Sequence, residues 1–164
     1  IAIVFRTGND FKLSKDTGRS LEDLSPRKLK SYFFGSNISS LEEGKVYKRR
    51  QLRSSGAHLM MERGISGNSN VGCDAIIISG LRPDRLGYDN FLDFMYACES
   101  RVGALSVKKS FEDNRPIRIF RSSTYTNPFH AVTFEKNMSA RYRYDGVYKI
   151  TRFETPEDIK KQPF

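Results

Sequence analysis

The sequence predicts one mainly β domain, α+β in class, built as a curved sheet or barrel with one or two short helices. From residue 32 onward, turn residues recur and short β-branched or aromatic runs lie between them. Helical periodicity is scarce over the same region. The chain of 164 residues has the length of a single domain that can bury a core of its own.

The first 31 residues predict a peripheral strand or arm followed by a short helix. The apolar run "IAIVF" opens the chain and gives way to polar residues. Ser20 then precedes "LEDLSPRKLK" as an N-cap, with Asp23 three residues further on in an imperfect capping box. Because the first residue is Ile and not Met, we expect the sequence to be part of a longer chain that can carry a targeting signal.

Four β segments are predicted in the main domain, with a fifth assigned by its aromatic content. The strongest is "DAIIIS", a continuous β-branched run typical of a strand buried on both faces. The segments "KVYKRRQL" and "PIRIFR" alternate between apolar and polar residues, and "NFLDFMYACE" is assigned to a strand rather than a helix because of its rings. Residues 123–140 have no clear period and predict an ordered loop.

The last β segment, "RYRYDGVYKI", interleaves basic and aromatic residues, which is also typical of a nucleic-acid-binding strand. Its alternation predicts one face with Tyr142, Tyr144, Tyr148 and Ile150 and another with Arg141, Arg143, Asp145 and Lys149. We expect the tyrosines to face the core and the arginines to face outward, where they can meet phosphate.

The charge balance favours a polyanionic partner, either nucleic acid or an anionic membrane surface. Lys and Arg total 28 against 19 acidic residues, which gives a formal charge of +9. No run of 18 apolar residues is present, so no membrane span is predicted. The two cysteines predict neither a disulfide framework nor a zinc site.

Patterns of enzyme chemistry are absent from the sequence. Its two histidines, His58 and His130, do not stand at metal-ligand spacing, and no G-x-S-x-G motif is present. The segment "GISGNSNVG" lacks the lysine of a phosphate-binding loop and precedes a strand instead of a helix. His58 is expected to be a packing or hydrogen-bonding residue. We therefore predict no catalytic residue, no cofactor and no metal.

Two loops around the buried strand are better suited to binding. "RGISGNSNVG" precedes that strand and offers Arg63, Asn68, Ser69 and Asn70, while "SGLRPDRLGYDNF" follows it with glycine backbone, carboxylates and rings. A carboxylate can accept a hydrogen bond from the amine of cytosine, and rings can sandwich an extruded base. On this chemistry alone, an ordinary surface loop is an equal alternative.

Five motifs in order resemble the SRA (SET- and RING-associated) domain, also called the YDG domain. They are "FFGSNISSLEEG", "RRQLRSSGAHLMMERGISG", "GCDAIIISG", "RPIRIFRSS" and "RYRYDGVYKI", which cover roughly residues 33–152. The resemblance implies a PUA-like curved β-barrel with a few short flanking helices. It places the modified-DNA-binding domain at residues 32–153, after the arm at 1–31 and before a tail at 154–164.

The resemblance implies that this protein binds duplex DNA containing modified cytosine, by flipping the base into a pocket and without catalysis. Asp84 would read the cytosine edge, and Phe94, or else Tyr96, would be one of the two sandwiching rings. The expected pocket residues are Ser79, Gly80, Leu81, Arg82, Asp84, Tyr88, Phe94, Met95 and Tyr96. The expected DNA contacts are Glu62, Arg63, Gly64, Ser66, Asn68, Ser69, Asn70, Arg121, Arg141 and Arg143.

Two departures from the family pattern leave the preferred modification open. Arg82 stands where the family has its first pocket aromatic, so either the guanidinium stacks on the base or Tyr88 replaces the ring. The finger that follows the pocket is cut to a few residues before "GALSVKKS". Both 5-methylcytosine and 5-hydroxymethylcytosine therefore stay as candidate ligands.

Three classes of function remain open at this point. The first is a reader of modified DNA, fused to chromatin domains and located in the nucleus of a eukaryote. The second is the specificity domain of a modification-dependent restriction endonuclease, cytoplasmic in a prokaryote, whose catalytic domain lies elsewhere in the full-length chain. The third is a PUA-like RNA-binding or scaffold domain with an inactive pocket.

Overall fold

The computed structural model describes residues 2–7, 38, 40–60, 63–79, 93–98, 100–124 and 141–155. Seven strands and two helices follow one another along these residues, which confirms the prediction of a mainly β fold with a few short helices. In chain order they are β1 Ala2–Thr7, β2 Val46–Lys48, α1 Arg49–Ser54, β3 Ile65–Asn68, β4 Gly72–Ile78, β5 Asp93–Ala97, α2 Arg101–Glu112, β6 Ile117–Ser122 and β7 Arg141–Glu154. The helix expected near residue 20 and the tail after residue 155 lie outside the described residues.

The strands form one mixed sheet in the order β3-β4-β6-β7-β1-β5, with β2 paired to β7. Strands β4 and β6 are parallel, and the other pairs are antiparallel. The expectation that the first strand is peripheral was wrong, because β1 lies between β7 and β5. Its Ile3 has no exposed surface, so the opening apolar run contributes to the core.

The sheet curls around a core that we call the inner cluster. Strands β3 and β5 stand at opposite ends of the strand order, yet Ile65 and Tyr96 pack against this same cluster. A Cβ atom placed on Gly64 would lie 3.8 Å from the Tyr96 hydroxyl. The two end strands therefore approach each other, as in a barrel. The cluster consists of Ile3, Cys73, Ile76, Ile78, Phe94, Cys98, Ala104, Val107, Ile117, Ile119, Tyr148 and Ile150.

A second core, the outer cluster, lies on the opposite face of β4 and β6. Ile76 and Ile78 of β4 belong to the inner cluster, whereas Ala75 and Ile77 belong to the outer one. The prediction that this strand is buried on both faces is thus confirmed. The outer cluster consists of Ile38, Tyr47, Leu52, Ala57, Ala75, Ile77, Phe120 and Tyr144.

Both described helices differ from the sequence prediction. The predicted strand "KVYKRRQL" ends at Lys48, and α1 begins there because the Gln51 side chain accepts a hydrogen bond from the Lys48 amide while Leu52 is buried in the outer cluster. Helix α2 was not predicted. Small residues weaken its apolar pattern, and Ser110 on its buried face exchanges two hydrogen bonds with the Cys73 backbone.

A β-bulge in β7 corrects the prediction that its tyrosines share one face. Ile119 pairs with Gly146 but Phe120 pairs with Tyr144, so Asp145 is an extra residue in β7. Residues on the two sides of the bulge therefore belong to different cores. Tyr144 joins the outer cluster and Tyr148 joins the inner one. Gly146 has φ of +102°, a backbone conformation that favours glycine.

Candidate nucleic-acid interface

The two ends of β4 carry different parts of the predicted binding region. At its end, the Ile77 amide donates to the Gly64 carbonyl, which brings Arg63 and Gly64 close to Ser79. At its start, Asn68 pairs with Gly72. A strand of seven residues is about 20 Å long, so the Asn68–Asn70 turn lies far from Ser79. Of the predicted binding residues at the two ends of β4, the structure therefore brings together Arg63, Gly64 and Ser79 but not the Asn68–Asn70 turn.

The turn between β3 and β4 is fixed by its own hydrogen bonds. The Asn68 side-chain oxygen accepts from the amides of Asn70 at 2.9 Å and of Val71 at 3.0 Å, so only its amide group remains to donate to a ligand. Ser69 and Asn70 are exposed. Ser66 is buried, and its hydroxyl accepts from the Leu59 amide. The prediction that Ser66 contacts DNA was therefore wrong, because its side chain points into the protein.

The loop that leads to Gly64 is held by His58. Its ring has no exposed surface, and its two nitrogens lie 3.1 Å from the Met60 carbonyl oxygen and 3.0 Å from that of Gly64. Burial, with the nearby Arg49 guanidinium, lowers the pKa of His58 from its ordinary 6.5 to about 4. The neutral ring donates a hydrogen bond to one of the two carbonyl oxygens and so anchors the loop. The expectation of a hydrogen-bonding His58 is confirmed.

The predicted base pocket is described only at one edge. Ser79 is exposed at the end of β4, whereas Gly80, Leu81, Arg82, Asp84 and Tyr88 lie outside the described residues, as does Glu62. Phe94 is 1% exposed and packs edge-on against Tyr148, with ring centroids 5.3 Å apart.

Phe94 is thus a core residue in this structure, which corrects its prediction as a base-stacking ring. The alternating direction of side chains in β5 explains its burial. Tyr96 faces the same inner cluster and is half-buried beside Gly64. Met95 is half-buried between these two rings along the strand. Of the two candidate stacking rings, Phe94 and Tyr96, Tyr96 is therefore the one that lies beside Gly64 at the edge of the predicted pocket.

Arg121, predicted to contact DNA, is fully buried and pairs with the Asp145 carboxylate. Strand β6 has a neighbour on each side, and the Arg121 guanidinium lies over the Phe94 ring inside the molecule. Arg143 donates to the other oxygen of Asp145 from a position where its side chain is 18% exposed. The signature carboxylate thus joins one arginine in the core to one near the surface, and Arg121 has no surface to offer DNA.

A second buried ion pair, between Asp74 and Arg118, was not anticipated. The Asp74 carboxylate and the Arg118 guanidinium approach to 2.7 Å with no exposed surface, and Arg118 also donates to the Ala57 carbonyl. Burial raises the pKa of Asp74 to about 6 despite the attraction of Arg118. The sequence signal was the acidic residue Asp74 at the start of the apolar strand "DAIIIS" and the basic residue Arg118 inside "PIRIF".

Residues 35–163 match the family model of the SAD/SRA domain. This chain belongs to the SAD/SRA domain family. The resemblance found from the motifs is thereby confirmed. A search of curated protein sequences gave no match.

Two solved structures are similar to this SRA domain. One is "Modification dependent TagI restriction endonuclease", at 28% identity and a TM-score of 0.53, over 73% of this chain and 44% of that chain. The other is SUVH9, at 23% identity and a TM-score of 0.48, over 73% of this chain and 26% of that chain. The SRA domain chain thus spans less than half the length of either.

Sequence reasoning missed a set of basic residues on and beside α1 of the SRA domain. Lys48, Arg50 and Arg53 are exposed, and we call these three residues the α1 surface. The signal was present in "KRRQLR", but the segment was assigned to a strand, in which Arg53 would lie on the face opposite Lys48 and Arg50. Arg49, between them, is half-buried, and its guanidinium lies 5.4 Å from the centre of the Tyr142 ring.

Within the described part of the SRA domain, no group of three or more His, Cys, Asp or Glu residues is arranged to hold a metal ion. Over the same residues, no helix is both long enough and apolar enough to cross a membrane.

Proposed function

We propose that this SRA domain binds duplex DNA containing a modified cytosine and flips that base into a pocket at the end of β4, without catalysing a reaction. The observation that carries the proposal is the family match over residues 35–163. The pocket would be formed by the segment from Ser79 to Tyr88 together with Tyr96, and the modified base would be 5-methylcytosine or 5-hydroxymethylcytosine.

The geometry of the described residues supports this assignment. The His58-braced loop, Arg63 and Gly64 lie beside Ser79, where β4 enters the proposed pocket segment. A flipped base leaves a gap in the duplex, and a loop held at both ends can fill that gap with little further loss of conformational entropy. Arg63 is exposed, so its charge is available to phosphate beside the gap.

The proposal is tested by titrating the chain with DNA duplexes that differ at one cytosine. Unmodified, 5-methyl and 5-hydroxymethyl duplexes are compared by fluorescence anisotropy, and a fluorescent base analogue next to the modified position reports unstacking. We expect tighter binding and a larger fluorescence increase with one modified duplex. Equal affinity for all three duplexes would overturn modified-base recognition, and tighter binding to RNA would indicate a PUA-like RNA-binding domain instead.

The pocket carboxylate is tested with a matched pair of variants. Asp84→Asn keeps the shape of the side chain but replaces a carboxylate, whose oxygens would accept from the amine of the flipped cytosine, with a neutral amide. Because only the modified duplex would place its base in the pocket, its affinity, and with it the preference over the unmodified duplex, should fall at least tenfold, within the range that one good base contact provides. Glu112→Gln, an exposed acid on α2, is the control and should bind like the parent chain. Loss of preference in both variants would contradict the assigned role of Asp84.

The similarity to a modification-dependent restriction endonuclease favours a second role that is compatible with the first. At 28% identity, that structure is matched over 73% of this chain but over only 44% of its own. In this role the SRA domain would direct a nuclease domain on the same polypeptide to modified DNA. The polypeptide that contains this chain would then cleave modified plasmid DNA and leave unmodified plasmid intact.

A further inference from the structure

The α1 surface carries cations that form no ion pair within the part of the chain that the structure describes. Among the described residues, no carboxylate lies within ion-pair distance of Lys48, Arg50 or Arg53. Helix α2 differs: the Lys108 ammonium lies 3.7 Å from Glu112 and that of Lys109 lies 2.8 Å from Asp113. The positive charge of α1 is therefore open to an external anion, whereas that of α2 is largely neutralised within its own helix.

The α1 surface is continuous with the proposed DNA-binding loop. Lys48 pairs with Arg141 across β2 and β7, which places two cations side by side. Arg49 then joins the helix to the loop, because its guanidinium donates to the Arg63 carbonyl oxygen at 2.5 Å. The helix start, the exposed Arg63 and the beginning of β7 thus form one basic region next to the end of β4.

The placement of these charges is unfavourable for the helix itself. Arg49 and Arg50 lie in the first turn of α1, which contains no acidic residue. Positive charge at a helix N-terminus is unfavourable, and like charges three residues apart, as in Arg50 and Arg53, repel each other. Stability of the helix does not explain these residues, whereas an anionic partner does.

We propose that the α1 surface binds the phosphate backbone of duplex DNA beside the flipped base. This inference rests on the proposed function and gives a role to three residues that were not among the expected DNA contacts. Lys48, Arg50 and Arg53 contact phosphate and not base edges, so they contribute affinity without contributing to the recognition of the modified base.

The test is the salt dependence of binding by the double variant Arg50→Gln/Arg53→Gln of the full 164-residue chain. Each lost phosphate contact reduces the slope of log K against log salt by about 0.9, so the double variant should lose about 1.8 from the slope and on the order of tenfold in affinity at physiological salt. The loss should be the same for a 5-methylcytosine duplex and for the unmodified duplex, and the ratio of the two affinities should not change.

The matched control is Lys108→Gln/Lys109→Gln on α2, which removes the same formal charge from cations that already have carboxylate partners. Its slope should equal that of the parent chain, and thermal unfolding should show that both double variants are folded. An unchanged slope for the α1 variant, or an equal decrease for both variants, would overturn the proposal. A third outcome separates this inference from the proposed function. If the parent chain binds the two duplexes equally and the slope still falls only in the α1 variant, modified-base recognition is overturned and the phosphate-binding surface stands.

Discussion

Arg118 and Arg121 lie three residues apart on β6, and both are fully buried, but their charges are compensated in different ways. Among the described residues, Arg118 donates to the Ala57 carbonyl beside the outer cluster and pairs with the Asp74 carboxylate. Arg121 lies over Phe94 of the inner cluster and shares the Asp145 carboxylate with Arg143. The Asp74–Arg118 pair lies entirely in the interior, whereas Asp145 links the buried Arg121 to the partly exposed Arg143.

The two carboxylates therefore differ in the number of guanidinium groups that contact them. One oxygen of Asp74 has no hydrogen-bond partner among the described residues, and burial raises the pKa of this group to about 6. Both oxygens of Asp145 are bound by guanidinium groups. For a buried carboxylate, the attraction of one cation barely offsets the free energy lost on removal from water, whereas the attraction of two cations offsets more of it. We infer that Asp145 is essential to the fold and that Asp74 is nearly dispensable for stability.

The largest expected effect is that of Asp145→Asn. The neutral amide would leave two arginines, one of them fully buried, without a counter-charge, at the bulge that places Tyr144 and Tyr148 in different cores. Breaking a buried ion pair from one side typically costs about 3–5 kcal/mol, and we expect a loss in this range from urea unfolding at pH 7. A loss below about 1 kcal/mol would show that the shared carboxylate is not what holds the two arginines.

The sequence indicated part of this arrangement. It identified the Tyr-Asp-Gly segment as a signature and β4 as a strand buried on both faces, because β-branched continuity and motif order are local properties. It did not predict that Asp145 is a bulge residue, since a register shift depends on the partner strand β6. A strict alternation assumed across residues 141–150 placed all the tyrosines on one face for that reason.

The candidate site was predictable to a similar extent. The loop before Gly64 and the end of β4 were found from motif order, and the structure brings them together. Arg121 and Phe94 were misassigned because burial depends on which strands flank β6 and β5, and chain-local patterns do not contain that information. The α1 surface was missed because the change from strand to helix at Lys48 depends on the Gln51 hydrogen bond and on the burial of Leu52 in the outer cluster.

Asp74 and His58 should give stability profiles of opposite slope, which is the second prediction. The folded-state pKa of Asp74 is raised from 3.8 to about 6, so the folded protein holds more protons than the unfolded chain between these values, and this group lowers stability as pH rises from about 4 to 6. The pKa of His58 is lowered from 6.5 to about 4, so the histidine raises stability as pH rises through that window. Each effect is on the order of 3 kcal/mol.

The two contributions offset each other in the parent chain, and single variants separate them. Asp74→Asn should leave a profile in which stability rises between pH 4 and 6.5, and His58→Gln should leave one in which stability falls between pH 4 and 6. Urea unfolding at several pH values measures both. The cations that act on these two groups stay charged throughout this range. They are Arg49 and Arg118 for His58, and Arg118 for Asp74. Slopes of the same sign in the two variants would contradict the opposite shifts.

The smallest expected effect is that of Asp74→Asn at pH 7. The amide oxygen can still accept from Arg118, and the guanidinium keeps its bond to the Ala57 carbonyl. Because burial already penalises the charged form of Asp74, its replacement by a neutral group removes a cost that offsets the lost attraction. We expect Asp74→Asn either to raise the unfolding free energy or to lower it by less than about 1 kcal/mol, against the loss of about 3–5 kcal/mol for Asp145→Asn. Equal losses in the two variants would mean that a single arginine compensates a buried carboxylate as well as two arginines do, and the contrast between the two sides of β6 would not hold.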